Sequence, residues 1–191
     1  GGFVVTAQQV LIGVGLGLLS VIFLQTFVLG GQIIAMQIGL GFASMVDPSN
    51  GQQVPVVAQF FLMLASLIFL ALDGHLLMIQ MVVASFESVP IGFSGLDVDA
   101  FRMISDWGSY MFSTALTAML SGIIALLLIN LSFGVMTRAA PQLNIFAIGF
   151  PITMVSGLVV IWLTLGGFIY HFENQWARVV QTMCQLIGSQ C

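Results

Sequence analysis

The chain of 191 residues is 59% hydrophobic and only 5% charged, which leaves too little polar surface to coat a soluble globule of that size. Its formal net charge is −4, it has no lysine, and its cations are Arg102, Arg138 and Arg178, so the electrostatic footprint of a nucleic-acid binder is missing. The apolar surface must meet lipid, other apolar protein, or both, and an all-α fold of integral-membrane type is expected.

The sequence opens on Gly1-Gly2-Phe3 with no methionine and no basic n-region, and we expect an N-terminally incomplete piece of a longer protein. From Ala7 to about Leu29 the apolar run has the roughly 20 residues that a membrane-crossing helix needs. Within it, Gly13-Val14-Gly15-Leu16-Gly17 has no preceding strand and no polar surroundings, which argues against a phosphate loop. Gly13, Gly17 and Ser20 read instead as a small-residue stripe along which another helix can approach.

From Gly30 to Pro55 the glycines at 30, 31, 39, 41 and 51 interrupt the pattern, and Asp47-Pro48-Ser49-Asn50-Gly51 is a strong turn sequence. We expect a loop over 30–55. It is unusually apolar, holding Ile33, Ile34, Met36, Ile38, Leu40, Phe42, Met45 and Val46. Irregular backbone of that kind survives at membrane depth only when it is buried in protein or lines a cavity. On the residues alone, it is a buried connection between packed helices.

The next apolar stretch, Val54 to Phe86, is broken only at Asp73-Gly74-His75. As one helix it would be roughly 48 Å long against a hydrocarbon core of roughly 30 Å. Either it breaks near Gly74, or it lies in a protein assembly where lipid thickness does not matter. Asp73 and His75 read as a capped helix end, with a proton relay as the functional alternative. From Glu87 to Asp106 comes a polar connection in which Asp97 and Asp99 hint at a cation site, but the ligand set of a calcium loop is absent. Trp107 and Tyr110 follow where interfacial aromatics usually sit.

A helix is expected from Trp107 to Met136, with one small-residue row of Ser113, Thr117, Ser121 and Ala125 beside another of Thr114, Ala118 and Gly122. Asn130 lies deep in an apolar run, where an unpaired amide is costly, and should bond across to a neighbour. Pro141 then breaks the chain between apolar runs, with Arg138, Gln142 and Asn144 around it and Gly149 and Pro151 marking a second irregularity. The return helix is expected from about Leu143 to Tyr170 with Gly149, Thr153 and Gly157 as a small row, followed by an interfacial tail of His171, Glu173, Asn174, Gln175, Trp176 and Arg178. Cys184 and Cys191 have neither CxxC spacing nor a ligand-register histidine and read as free thiols. Arg102 and Arg138 lie in consecutive connections, so the positive-inside rule assigns no orientation.

Two motifs carry a family resemblance. Arg138-Ala139-Ala140-Pro141-Gln142 followed by Ile148-Gly149-Phe150-Pro151, and Gln37-Ile38-Gly39-Leu40-Gly41-Phe42-Ala43 running to Asp47-Pro48, resemble the FliR family of export-gate proteins in flagellar type III secretion. A weaker Gly74-His75 pair agrees. The resemblance covers nearly all of the chain, and Asp47-Pro48 with Ile148 to Pro151 leans to the flagellar branch over the virulence branch. It implies a FliP-like helical part over 1–106 and a FliQ-like hairpin with its tail over 107–191, packed in a multi-subunit gate with several copies of FliP and FliQ and with FlhB. The location implied is the bacterial inner membrane at the flagellar basal body, with exported flagellar proteins as substrates.

In that family, the resemblance implies, the loop bearing Met36, Ile38, Gly39, Leu40, Gly41, Phe42, Met45, Asp47, Pro48 and Asn50 reaches into the channel and plugs it at rest. Arg138, Pro141, Gln142, Gly149 and Pro151 would form a corner touching adjacent subunits. No Ser-His-Asp, Cys-His or metal-ligand constellation argues for catalysis, and neither cofactor nor metal is expected. The competing class is a self-sufficient polytopic transporter with Asp73 and His75 as its coupling site.

Overall fold

The computed structural model describes residues 2–41, 44–46, 53–92, 98–139 and 145–188. Five helices are found there: α1 (Gly2–Gln37), α2 (Val56–Ala71), α3 (Gly74–Ser88), α4 (Val98–Ala139) and α5 (Ile145–Leu186). One short antiparallel pairing joins β1 (Ser44–Val46) to β2 (Gln53–Pro55), with Met45 opposite Val54. The all-α expectation holds, and α1, α4 and α5 are each long and apolar enough to cross a membrane.

Of the two alternatives for Val54 to Phe86, the break near Gly74 is the one found: α2 and α3 meet at a bend of 67°. Asp73 adopts the left-handed conformation, φ 56°, and its carbonyl accepts the amides of Leu76 and Leu77 to start α3. An aspartate tolerates this geometry better than most residues. Gly74 has no freedom to be anything larger, because the Phe69 ring lies where its side chain would begin. Asp73 itself is exposed, and its side chain makes no capping bond.

Three boundaries differ from the sequence reading. Helix α1 runs through Gly30 and Gly31 to Gln37 rather than yielding to loop at residue 30. Those glycines serve packing: a methyl on Gly30 would meet the Met119 side chain at 3.0 Å, and one on Gly31 would lie 2.7 Å from Cα of Ala58. Helix α4 starts at Val98, so the polar stretch through Asp106 is helical rather than connection. Asp99 in its first turn complements the helix dipole, and its exposed pairing with Arg102 at 3.9 Å adds little. Helix α5 continues through the supposed tail to Leu186, because Phe172, Gln175, Val179, Met183 and Leu186 are buried at helical spacing.

A fourth correction concerns sulfur: Cys184 is disulfide-bonded, not a free thiol. Pairing follows distance in space rather than any sequence motif, and the left-handed Gly188, φ 66°, turns the chain just past the end of α5; Cys191 lies outside the described residues. With no S–H to donate, the 3.8 Å approach of Cys184 Sγ to Met81 Sδ is simple packing.

The chain forms two compact units. The first comprises Gly1–Thr26, Ala65–Thr114 and Phe172–Cys191. Its core is an aromatic cluster: Phe23 meets Phe172 at 5.0 Å and Trp176 at 5.2 Å between centroids, and Trp176 meets Phe69 edge-on at 5.0 Å. Beneath it the buried Gln175 donates through Nε2 to Thr26 Oγ1 at 2.7 Å, and the Thr26 hydroxyl donates to the Ile22 carbonyl. On α1 it is Gly15 that is buried, against Ile104 and Leu186, while Gly13 and Gly17 face open space.

The second unit comprises Phe27–Leu64 and Ala115–His171. Phe168 stacks on Phe61 at 5.7 Å and packs against Phe27 at 4.9 Å. Gly122 of the second small row accepts Val160 and Thr164 of α5 directly against its backbone. In apolar surroundings, where burial drives association weakly, such close backbone approach supplies the helix–helix packing.

These two kinds of glycine separate by experiment. Gly31→Ala should lower thermal stability in detergent by about 1–3 kcal/mol, the cost of overpacking against backbone. Gly13→Ala should leave the isolated chain unchanged or slightly stabilised, since alanine is the better helix former by about 1 kcal/mol. Equal losses in both would mean that the α1–α2 approach is not what Gly31 provides.

Candidate functional site

Where α1 ends, the sequence motif beginning at Gln37 meets the one ending at Pro151. Ile38 is fully buried and fills the space beside Gly157 of α5, where no Cβ fits. Gly39 takes φ 77°, a left-handed geometry that ends the helix, with its amide donating to the Met36 carbonyl at 3.3 Å. A methyl there would strike the Phe150 ring at 2.8 Å, so this position demands glycine for both conformation and space. From α4, Asn130 Nδ2 donates to the Gln37 carbonyl at 3.2 Å.

That last bond is the partner expected for Asn130. The carbonyls of a helix's last turn have no intrahelical donor, and in apolar surroundings an unpaired one costs several kcal/mol. Asn130 supplies a donor to the carbonyl at which α1 ends.

Around this clamp the candidate residues divide. Met36 is 72% exposed, Leu40 and Gly41 are half-buried, and Gly41 packs beside Met36. Met45 lies in β1, paired with Val54, and β2 runs directly into α2. Phe42, Asp47, Pro48 and Asn50 lie outside the described residues. Of the corner, Arg138 is exposed in the last turn of α4, where a cation complements the carbonyl end of the helix. Pro141 and Gln142 lie outside the described residues. Gly149 is half-buried, and Pro151 sits exposed inside α5, where its missing N–H leaves one helical carbonyl without its usual donor.

Sequence reasoning missed Phe150 and Gly157 as members of this site. Gly157 stood in a small-residue row and Phe150 between two marked residues, but nothing in their spacing says that they receive Gly39 and Ile38. The signal that could be read was Asn130, a polar residue inside Leu126-Leu127-Leu128-Ile129-Asn130-Leu131.

Comparison with known proteins identifies the group to which this architecture belongs. Residues 2–179 match the family described as bacterial export proteins, family 1. The chain belongs to that family. It is 41% identical to the flagellar biosynthetic protein FliR of Pectobacterium carotovorum subsp. carotovorum over 180 residues, 94% of this chain and 69% of that protein. It is 41% identical to FliR of Escherichia coli (strain K12) over 181 residues, 95% of this chain and 69% of that protein. A more distant FliR from Bacillus subtilis (strain 168) is 26% identical over 184 residues, 95% of this chain and 71% of that protein. The resemblance read from the two motifs is thereby established at the level of the family.

The clamp in this family 1 export protein has a measurable weight. Asn130→Ala should lower the melting transition of the detergent-solubilised protein by about 0.6–1.7 kcal/mol, the range for interhelical side-chain bonds in membrane proteins, and should speed hydrogen exchange at residues 38–41. Unaltered exchange there would remove Asn130 from any role in fixing the end of α1.

Proposed function

We propose that this chain, a membrane-type component of the flagellar export apparatus, builds the entrance of the protein-conducting channel together with FliP and FliQ and helps to close it at rest. Its FliP-like part would be 1–106 and its FliQ-like hairpin 107–191, with FlhB as a further neighbour, in the bacterial inner membrane. Exported flagellar proteins would be its substrates.

One observation carries the reading: the convergence on the end of α1, where Asn130, Gly157 and Phe150 hold Gln37, Ile38 and Gly39. A plug must be anchored firmly at its root and be displaceable beyond it. The root is a fully buried isoleucine, a left-handed glycine and a backbone carbonyl bonded to the neighbouring helix. Beyond it, the β1–β2 pairing ends at Val46 and Gln53, so a six-residue connection, 47–52, separates the paired strands. Large flexible side chains such as Met36 and Met45 suit a seal that must part for an unfolded polypeptide and close again. Arg138, Pro141, Gln142, Gly149 and Pro151 would form the corner meeting adjacent subunits.

The transporter alternative has less support. Asp73 is exposed and shapes the α2–α3 bend through its backbone, whereas a coupling carboxylate should be sheltered beside its partner.

Two measurements test the gate. With Met45→Cys in an otherwise cysteine-free chain, the assembled complex should crosslink to a stalled export substrate. Deletion of Gly39 to Phe42 should make the resting complex pass ions and small molecules. Absence of the crosslink while neighbouring subunits still give theirs, together with unchanged conductance after the deletion, would reduce the chain to a scaffold of the channel wall.

A further inference from the structure

Two segments that each carry interfacial residue types come together within the first unit. Trp107 and Tyr110, near the start of α4 with ring centroids 5.8 Å apart, line an open groove of about 290 Å³ together with Arg178, Gln181, Thr182 and Gln185 of α5. The α5 residues fall at i, i+3, i+4 and i+7, which places them along one helical face. Trp107 is buried beneath the groove, while Tyr110, Arg178, Gln181 and Gln185 are exposed.

The chemistry of the lining is one-sided. Among the described residues, a guanidinium, two amides, a phenol and an indole N–H offer donors, and no carboxylate lines the groove. The Thr182 hydroxyl is already committed, donating to the Arg178 carbonyl at 2.9 Å, which stiffens that turn of α5. In a chain of net charge −4 with three cations, Arg102 has Asp99 beside it and Arg138 sits at a helix C-terminus. Arg178 lines the groove. Such a site takes an anion with several acceptor oxygens, and a phosphodiester fits an arginine fork.

We propose that this groove binds the headgroup of an anionic glycerophospholipid, with Arg178 paired to the phosphodiester and Gln181, Gln185 and Tyr110 bonding to its remaining oxygens. The lipid source follows from the setting. Trp and Tyr concentrate at the membrane–water boundary, and both helices of the groove are long and apolar enough to span a bilayer. A basic pocket between spanning helices is the usual form of a specific anionic-lipid site.

The test is native mass spectrometry of the assembled complex in detergent, with phosphatidylglycerol or phosphatidylcholine added and with or without millimolar inorganic phosphate. The unaltered complex should retain phosphatidylglycerol in preference to phosphatidylcholine, and free phosphate should not displace it. Arg178→Gln should lower that occupancy about fivefold, the weight of one interfacial arginine, while Arg102→Gln leaves it unchanged. Should Arg178→Gln fail to assemble, Gln181→Leu with Gln185→Leu keeps the charge, removes two donors and should still weaken retention. Equal retention of the two lipids, displacement by phosphate, or undiminished phosphatidylglycerol in whichever of these variants assembles would overturn the proposal.

Discussion

The hydrogen bond from Asn130 to the carbonyl of Gln37 is the constraint on which the end of α1 depends. A chain with so few polar side chains cannot lead backbone out of a helix freely, because every released carbonyl needs a donor that apolar surroundings do not supply. One amide, placed on a different helix, meets that need at the residue where α1 stops. The left-handed Gly39 then redirects the chain, and Ile38 and the Phe150 ring fill the space so created. Remove the donor and the Gln37 carbonyl is left unpaired, which loosens the turn through Ile38 and Gly39.

Glycine shows why some of this was legible in the sequence and some was not. At Gly39 and at Asp73-Gly74 the local turn chemistry is a signal of its own: Gly39 lay in the stretch read as loop, and a break near Gly74 was one of the two alternatives for Val54 to Phe86. At Gly30 and Gly31 the same residue means the opposite: the helix continues, and the missing side chain admits Met119 and Ala58. A single residue type serves chain reversal and close approach alike, and only a partner in space distinguishes them. The pair Gly13 and Gly17 sharpens the point, since the glycine used within the chain is Gly15 between them.

The polar ends of α4 and α5 were misread for a related reason. Glu173, Asn174 and Arg178 look like a solvated tail until Phe172, Val179 and Met183 are seen to share the buried face with Gln175. The helical period was present all along, but a buried glutamine breaks the apolar pattern that would reveal it. Its bond to Thr26 at 2.7 Å is what makes that position tolerable. In the candidate site, the polar residue Asn130 was legible because it stood out against leucine. Phe150 and Gly157 were not, because apolar and small residues in an apolar chain carry no local mark of their partner.

The two small-residue rows of α4 were both read as faces for helix contact, and they differ in how exposed they are. Within the second unit, Gly122 lies buried against α5, whereas Thr117 and Ser121 face outward. Ser121, Gly122 and Ala125 border a groove of about 170 Å³ with Val160, Leu163 and Thr164 of α5. Beyond them, Leu116, Leu120, Ile124, Leu127 and Leu131 leave an apolar stripe of α4 exposed. Lipid would satisfy the leucines but gains nothing from small polar residues, which in membrane proteins serve to bring helices together. Both rows of α4 therefore lie beside this chain's own α5, Gly122 in contact with it and Ser121 and Ala125 across the groove, while Thr117 and Ser121 keep outward surface. That outward surface, small and polar beside a leucine stripe, suits close approach by another helix, which is what the proposed subunit role asks of it.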